Sequence, residues 1–244
     1  MLHSSKNGRN PYPGFLFALP NRAELGISYG MCMVVLAFLA FDRDGLFAYF
    51  LGSMLLHECG HLIAITLSDL EVTSVRAELS GACIRYGGGL RTYLRDALIA
   101  AAGPAASLIA ALAALAANLS CGGNSVLEVL IGTNLMFCMA NLIPAFPADG
   151  GRIAFSLLAA GFTPRFASMV LRVLTAVCGM AVALCGIYVL IRTGYNLSLA
   201  ATGIFLLSGR SHSKLNAEKS LTLFSALFFY LFQGLKWEKR GDEW

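Results

Sequence analysis

The stretch Leu55-Leu56-His57-Glu58-Cys59-Gly60-His61-Leu62-Ile63-Ala64 sets two imidazoles and a carboxylate inside an apolar run from Gly45 to Leu67. On a helix each residue advances ~100°, so positions four apart differ by ~40° and share a face. His57 and His61 can therefore reach one metal ion. Glu58 falls on a neighbouring flank, ~60° from His61, where it can approach an activated water without being a ligand. This is the H-E-x-x-H arrangement, in which zinc lowers the pKa of water and the glutamate accepts its proton. Cys59 lies ~200° from His57 and is expected to pack, not to ligate. With four histidines in the chain, chance produces this spacing about 0.002 times. Imidazoles and a carboxylate deep in an apolar helix are costly and mark function.

The surroundings extend that reading. The chain has 244 residues, 57% of them hydrophobic and 13% charged, against ~25% charged in a soluble domain. Such a chain cannot cover a water-facing surface, so lipid is its main solvent. Apolar runs at 25–41, 45–67, 97–117, 126–146, 167–191 and 195–207 predict an all-α polytopic membrane protein of about six transmembrane helices. Residues 1–24 read as a polar arm, not a cleavable signal, because Pro11, Pro13 and Pro20 interrupt any apolar core. Residues 25–208 form the expected transmembrane domain, with its core at about 45–152, and 209–244 a loop and apolar tail. The tail run from Leu221 to Leu235 is rich in Phe and is followed by Lys236, Trp237, Lys239 and Arg240. That pattern predicts a segment lying at the membrane interface. No basic, aromatic stretch points to nucleic acid. The seven cysteines form no C-x-x-C pair, which argues against a disulfide framework or a thiolate zinc site and predicts inert, buried side chains.

Charge sets the orientation. Lys6, Arg9, Arg22, Arg76, Arg85, Arg91, Arg95, Arg152, Arg165, Arg210, Lys214 and Lys219 fall on one side of the predicted spans, and only Arg43 and Arg192 on the other. Positive loops stay inside, so the N-terminus and the 69–96 loop are expected in the cytoplasm. That loop holds Val72–Ala77 and Ala82–Tyr86, with Ser80-Gly81 between them and Gly87-Gly88-Gly89 after. It predicts a small membrane-associated β-hairpin.

Two histidines leave a zinc site one protein ligand short. His3 and His212 lie in terminal or loop segments. The best third ligand is Asp149, in Asn141-Leu142-Ile143-Pro144-Ala145-Phe146-Pro147-Ala148-Asp149-Gly150-Gly151. Pro144 and Pro147 end regular helix, and Gly150-Gly151 are expected to make a tight turn. His57–His61 and Asp149 both fall toward the cytoplasmic ends of spans that run the same way.

At this point the sequence resembles the site-2 protease family of intramembrane zinc metalloproteases. The likeness rests on His57-Glu58-Cys59-Gly60-His61, on Asn141-x-x-Pro144-x-x-Pro147-x-Asp149-Gly150-Gly151, and on the weaker Ala102-Gly103-Pro104-Ala105-Ala106-Ser107. The family often carries Asn where this chain has Ser107. The resemblance covers about Gly45 to Arg152 and looks like the compact branches without a PDZ or CBS domain. It implies zinc, transmembrane protein substrates and a hairpin that pairs with the substrate strand. It also implies a substrate or oxyanion contact at Asn141, with packing as the alternative role of that residue. A regulatory membrane protein is a further expected partner. The rival reading is a zinc transporter or sensor using the same ligands.

Overall fold

The computed structural model describes residues 13–18, 23–42, 45–78, 81–90, 92–193 and 197–208. The predicted interfacial tail, His3 and His212 lie outside them.

The chain opens with two short strands, β1 (Gly14–Ala18) and β2 (Glu24–Ser28), and then helix α1 (Tyr29–Phe41). Helix α2 (Leu46–Leu67) carries the histidines. Its first turn is capped by Asp42, whose two carboxylate oxygens accept from the Leu46 and Phe47 N–H groups at 3.1 and 2.8 Å. Its end is a Schellman motif. Asp69 takes φ 53°, Asp69 N–H donates to Thr66 O, and Leu70 N–H to Ile65 O. Leu70 packs against Ile65 and Ile99, the apolar contact that accompanies such a stop. The chain thereby turns directly into β3 (Glu71–Glu78) and β4 (Gly81–Gly87), the predicted hairpin. Val72, Ile84 and Tyr86 seat it on the Ile65–Leu70–Ile99 cluster. Tyr86 OH donates to Asp96 at 3.0 Å, tying the hairpin to helix α3 (Tyr93–Ser120).

The sheet is larger than the sequence predicts. Four strands run in the order β1-β2-β3-β4. β2 lies parallel to β3, with Glu24 opposite Ser74 and Ile27 opposite Ala77; an Arg76–Glu24 ion pair at 3.2 Å crosses the join. The expected polar arm thus contains β1, and the expected first span begins as strand. An apolar run does not distinguish a strand end from a helix start. The "all-α" expectation is corrected to a mostly helical chain with a small four-stranded sheet.

The helices continue as α4 (Ser125–Asn141), α5 (Asp149–Gly161), α6 (Pro164–Thr193) and α7 (Leu197–Ser208). By length and composition three of the described helices can cross a membrane: α2, α3 and α6. At 13, 17 and 12 residues, α1, α4 and α7 fall at or short of the ~17–25 residues that span comfortably. Helix length among the described residues supports three of the about six expected spans and does not confirm the rest. α4 stops at Asn141, five residues before the apolar run does, because Pro144 and Pro147 deny it backbone donors.

Apolar side chains gain little from association in lipid, so close backbone approach carries the packing. A Cβ on Gly60 would lie 2.5 Å from Ala102 O and 2.7 Å from Ala106 Cβ, so α2 and α3 meet backbone to backbone beside the histidines. On the other flank of α2, Phe47, Phe50 and Met54 pack on Met136 and Phe137 of α4. Gly186 and Gly203 seat α6 against α7 in the same manner. The α6–α7 pair adjoins the site through Leu206 of α7, which packs with Ala140 and Ala148.

Candidate metal centre

His57 and His61 lie on the face of α2 that turns toward α3, and both are buried. Their rings stand edge to face with centroids 5.0 Å apart. Each Nδ1 has a fixed partner. His61 Nδ1–H donates to Ile99 O at 2.8 Å. A carbonyl only accepts, so this bond sets the tautomer and leaves a lone pair on His61 Nε2. His57 Nδ1 meets Ser107 Oγ at 3.0 Å, and the Phe137 ring lies beside it, centroid 5.9 Å away.

The third group arrives on a segment that needs its prolines and glycines. After α4, Ala145 N–H donates to Ile143 O, and Ala148 N–H to Ala145 O. Phe146 N–H donates to Thr175 Oγ1 of α6 at 3.0 Å, and the Phe146–Pro147 bond is cis. Asp149 is then the first residue of α5. Gly150-Gly151 form that helix's first turn, not the expected tight turn. Their role is close approach: a Cβ on Gly151 would lie 2.7 Å from Ala145 C and 2.9 Å from Phe146 N, and one on Gly150 would strike Leu142 O.

Asp149 Oδ2 lies 3.1 Å from His57 Nε2 and 3.1 Å from His61 Nε2, and the two Nε2 atoms are 3.3 Å apart. With ~2.0–2.1 Å bonds, a tetrahedral zinc site has ligand edges of ~3.3–3.4 Å. The triangle matches one face of such a tetrahedron. In the neutral rings the Nε2 lone pairs face the Asp149 oxygen and a cation between them relieves the repulsion, so the arrangement fits a metal; without one, a proton on Nε2 makes the hydrogen bond to Oδ2 instead. Two imidazoles and a carboxylate suit zinc better than calcium or magnesium, which prefer oxygen. Burial opposes ionisation of Asp149. The charge of His61, hydrogen bonds from both histidines and the Arg152 charge outweigh it, holding the carboxyl well below the usual carboxylate range. Its position at a helix N-terminus acts in the same direction.

Glu58 is half-buried; it stands outside the converging triad, and its charge acts on His61. Cys59 is exposed, so the expected packing role is not seen, and Cys121 and Cys185 are exposed too. The expectation of buried cysteines holds for Cys83 and Cys138. Asn141 is buried, and its amide donates to Phe137 O at 3.0 Å within its own helix. Sequence reasoning gave no polar role to three groups here. Ser107, fully buried, sits four residues past Gly103 on the same helix, where the Ala-Gly-Pro motif offered a signal. Thr175 offered none. Arg152 entered only as a topology charge, yet its Nη1 donates to Asp149 Oδ1 at 3.3 Å.

No family model matches the chain. It is 33% identical over 115 residues to a Mycobacterium tuberculosis protein named "Putative zinc metalloprotease Rip3", covering 44% of this chain and 29% of that one. It is 30% identical over 111 residues to the Synechocystis "Putative zinc metalloprotease sll0528", with the same shares. The match thus spans under a third of the length of either relative. Among solved structures, a site-2 protease from Methanocaldococcus jannaschii superposes with a TM-score of 0.59 at 20% identity, over 81% of this chain and 93% of that one. The chain thus has the fold of a solved site-2 protease, and the relatives it matches in part are named zinc metalloproteases.

Proposed function

We propose that the chain is a zinc-dependent intramembrane endopeptidase that hydrolyses peptide bonds of transmembrane or membrane-associated proteins. The observation that supports this most directly is the convergence of His57 Nε2, His61 Nε2 and Asp149 Oδ2 within 3.1–3.3 Å, with Glu58 in the same helical turn. In this reading His57, His61 and Asp149 hold the metal. Zinc held there supplies a Lewis acid and brings the pKa of water into the neutral range. Glu58 takes the proton of the attacking water and delivers it to the leaving amine. Ser107 and Ile99 O keep both imidazole rings oriented, as such partners do at metal sites. Asn141 has a second amide hydrogen for a substrate carbonyl.

A helical substrate hides its carbonyls in its own hydrogen bonds and must unwind locally. An edge of the four-stranded sheet can replace those bonds by strand addition. Two observations support a bilayer as the working medium: the three long apolar helices and the low charge content of 13%. The active site is read as facing the cytoplasmic side, from the lysine and arginine bias, and a regulatory membrane protein as a further partner.

The competing reading is a zinc transporter or sensor. Glu58→Gln separates the two. The variant should retain zinc at one ion per chain and lose hydrolysis, seen as accumulation of uncleaved membrane proteins in a proteomic comparison with wild type. Unchanged processing of every substrate by a zinc-loaded Glu58→Gln variant would end the protease reading.

A further inference from the structure

Asp149 has two oxygens, and the structure gives them different work. Oδ2 faces both imidazole Nε2 atoms at 3.1 Å. Oδ1 accepts from Arg152 Nη1 at 3.3 Å. Arg152 lies three residues on, one turn along α5, so a single helix carries both the carboxylate and the group that grips it. We propose that Arg152 is a positioning residue that occupies Asp149 Oδ1 and so keeps Asp149 a one-oxygen ligand. The proposal rests on the reading of His57, His61 and Asp149 as metal ligands.

The chemical consequence is a matter of coordination number. A carboxylate can bind a metal through one oxygen or through both. If both oxygens of Asp149 turned to the ion, three residues would fill four positions. A hydrolytic zinc site needs three protein ligands and one open position for the reactant. Arginine suits the restraining role because it is always charged, presents its N–H groups on a rigid plane and has no lone pair to offer a metal. Its side chain is only part-exposed, at 22%, against a buried partner. The charge also adds to the compensation that the histidines give the Asp149 carboxylate.

Metal affinity alone reports this role poorly. Removing a nearby cation eases its repulsion of a dication, which offsets the loss of positioning. Coordination number is not subject to that offset. The test uses the full chain in detergent, loaded with cobalt as the spectroscopic probe and with zinc for X-ray absorption. Wild type should show the intense visible bands of a four-coordinate ion. Arg152→Met and Arg152→Ala should lose that intensity and gain a first shell of about five light atoms, and Arg152→Lys should restore the four-coordinate spectrum. Two truncating variants are used so that one remains if the other fails to fold. A four-coordinate spectrum in either truncated variant overturns the proposal, as does a lysine variant no better than alanine. Asp149→Asn distinguishes the levels. If it binds metal with an unchanged spectrum, the ligand reading itself fails. If it loses metal while Arg152→Met keeps the wild-type spectrum, only the role of Arg152 fails.

Discussion

Gly103 lies where α3 passes the two imidazoles, and replacing it with alanine puts one methyl group into the metal centre. The new Cβ would stand 2.7 Å from His57 Nε2 and closer still to His61 Nε2. Ordinary contact begins at 3.4 Å, so the His57 ring must yield by about 0.7 Å, and the His61 ring or the α3 backbone by more. Metal–ligand distances tolerate only ~0.2 Å. The rings cannot retreat freely, because each Nδ1 is held by α3 itself, at Ser107 and Ile99 O. Gly103→Ala should therefore weaken zinc by ~100-fold or more, about 2.8 kcal/mol at 1.4 kcal/mol per tenfold. A competition titration against a chromogenic chelator, with helicity followed by circular dichroism, measures it. Gly52→Ala is the control: it lies on the same helix as His57, and its Cβ would meet nothing within 4 Å. Wild-type zinc affinity in a folded Gly103→Ala variant would refute the placement of the metal between these rings and α3.

Ser107→Ala removes the partner of His57 Nδ1 and should lower zinc affinity by roughly 10–100-fold, by the same titration. Thr175→Val leaves the Phe146 N–H without its acceptor, and should cost about 1–3 kcal/mol in thermal unfolding and loosen the segment that leads to Asp149. Asp149 has a depressed pKa, so its contribution persists as pH falls and is lost only well below the usual carboxylate range. Acid release of zinc, followed by the same chelator competition, should therefore show no loss of the Asp149 ligand within the usual carboxylate range.

The parts of the site legible in the sequence are those carried by local geometry. His57, Glu58 and His61 were readable because four residues of helix bring two rings to one face. Asp149 was readable because two prolines end a helix where a carboxylate follows. The β3–β4 hairpin announced itself through Ser80-Gly81 and the glycines after it. What stayed hidden depends on partners distant in the chain. β1 is five residues long, and its neighbour β2 pairs with a strand on the far side of two helices. Gly150-Gly151 suggested a turn because glycine permits one; in fact α5 begins there, and what requires glycine is the approach of Leu142 O and Ala145. Ser107, Thr175 and Arg152 acquire meaning only through the atoms they touch.

The parallel join of β2 to β3 also sets a schedule for the chain as it is made. Forty-two residues separate Ser28 from Glu71, and they comprise α1 and α2. At roughly 5–20 residues per second, β2 emerges about 2–8 s before the strand it pairs with. Over that interval β1 and β2 form at most a two-stranded ribbon, which is marginal on its own, with one edge open to any strand nearby. The wait ends only when α1 and α2 have been made and β3 has followed them. Slowing synthesis between Ser28 and Glu71 should lengthen this exposure, and with it the yield of mispaired protein, without altering the finished fold.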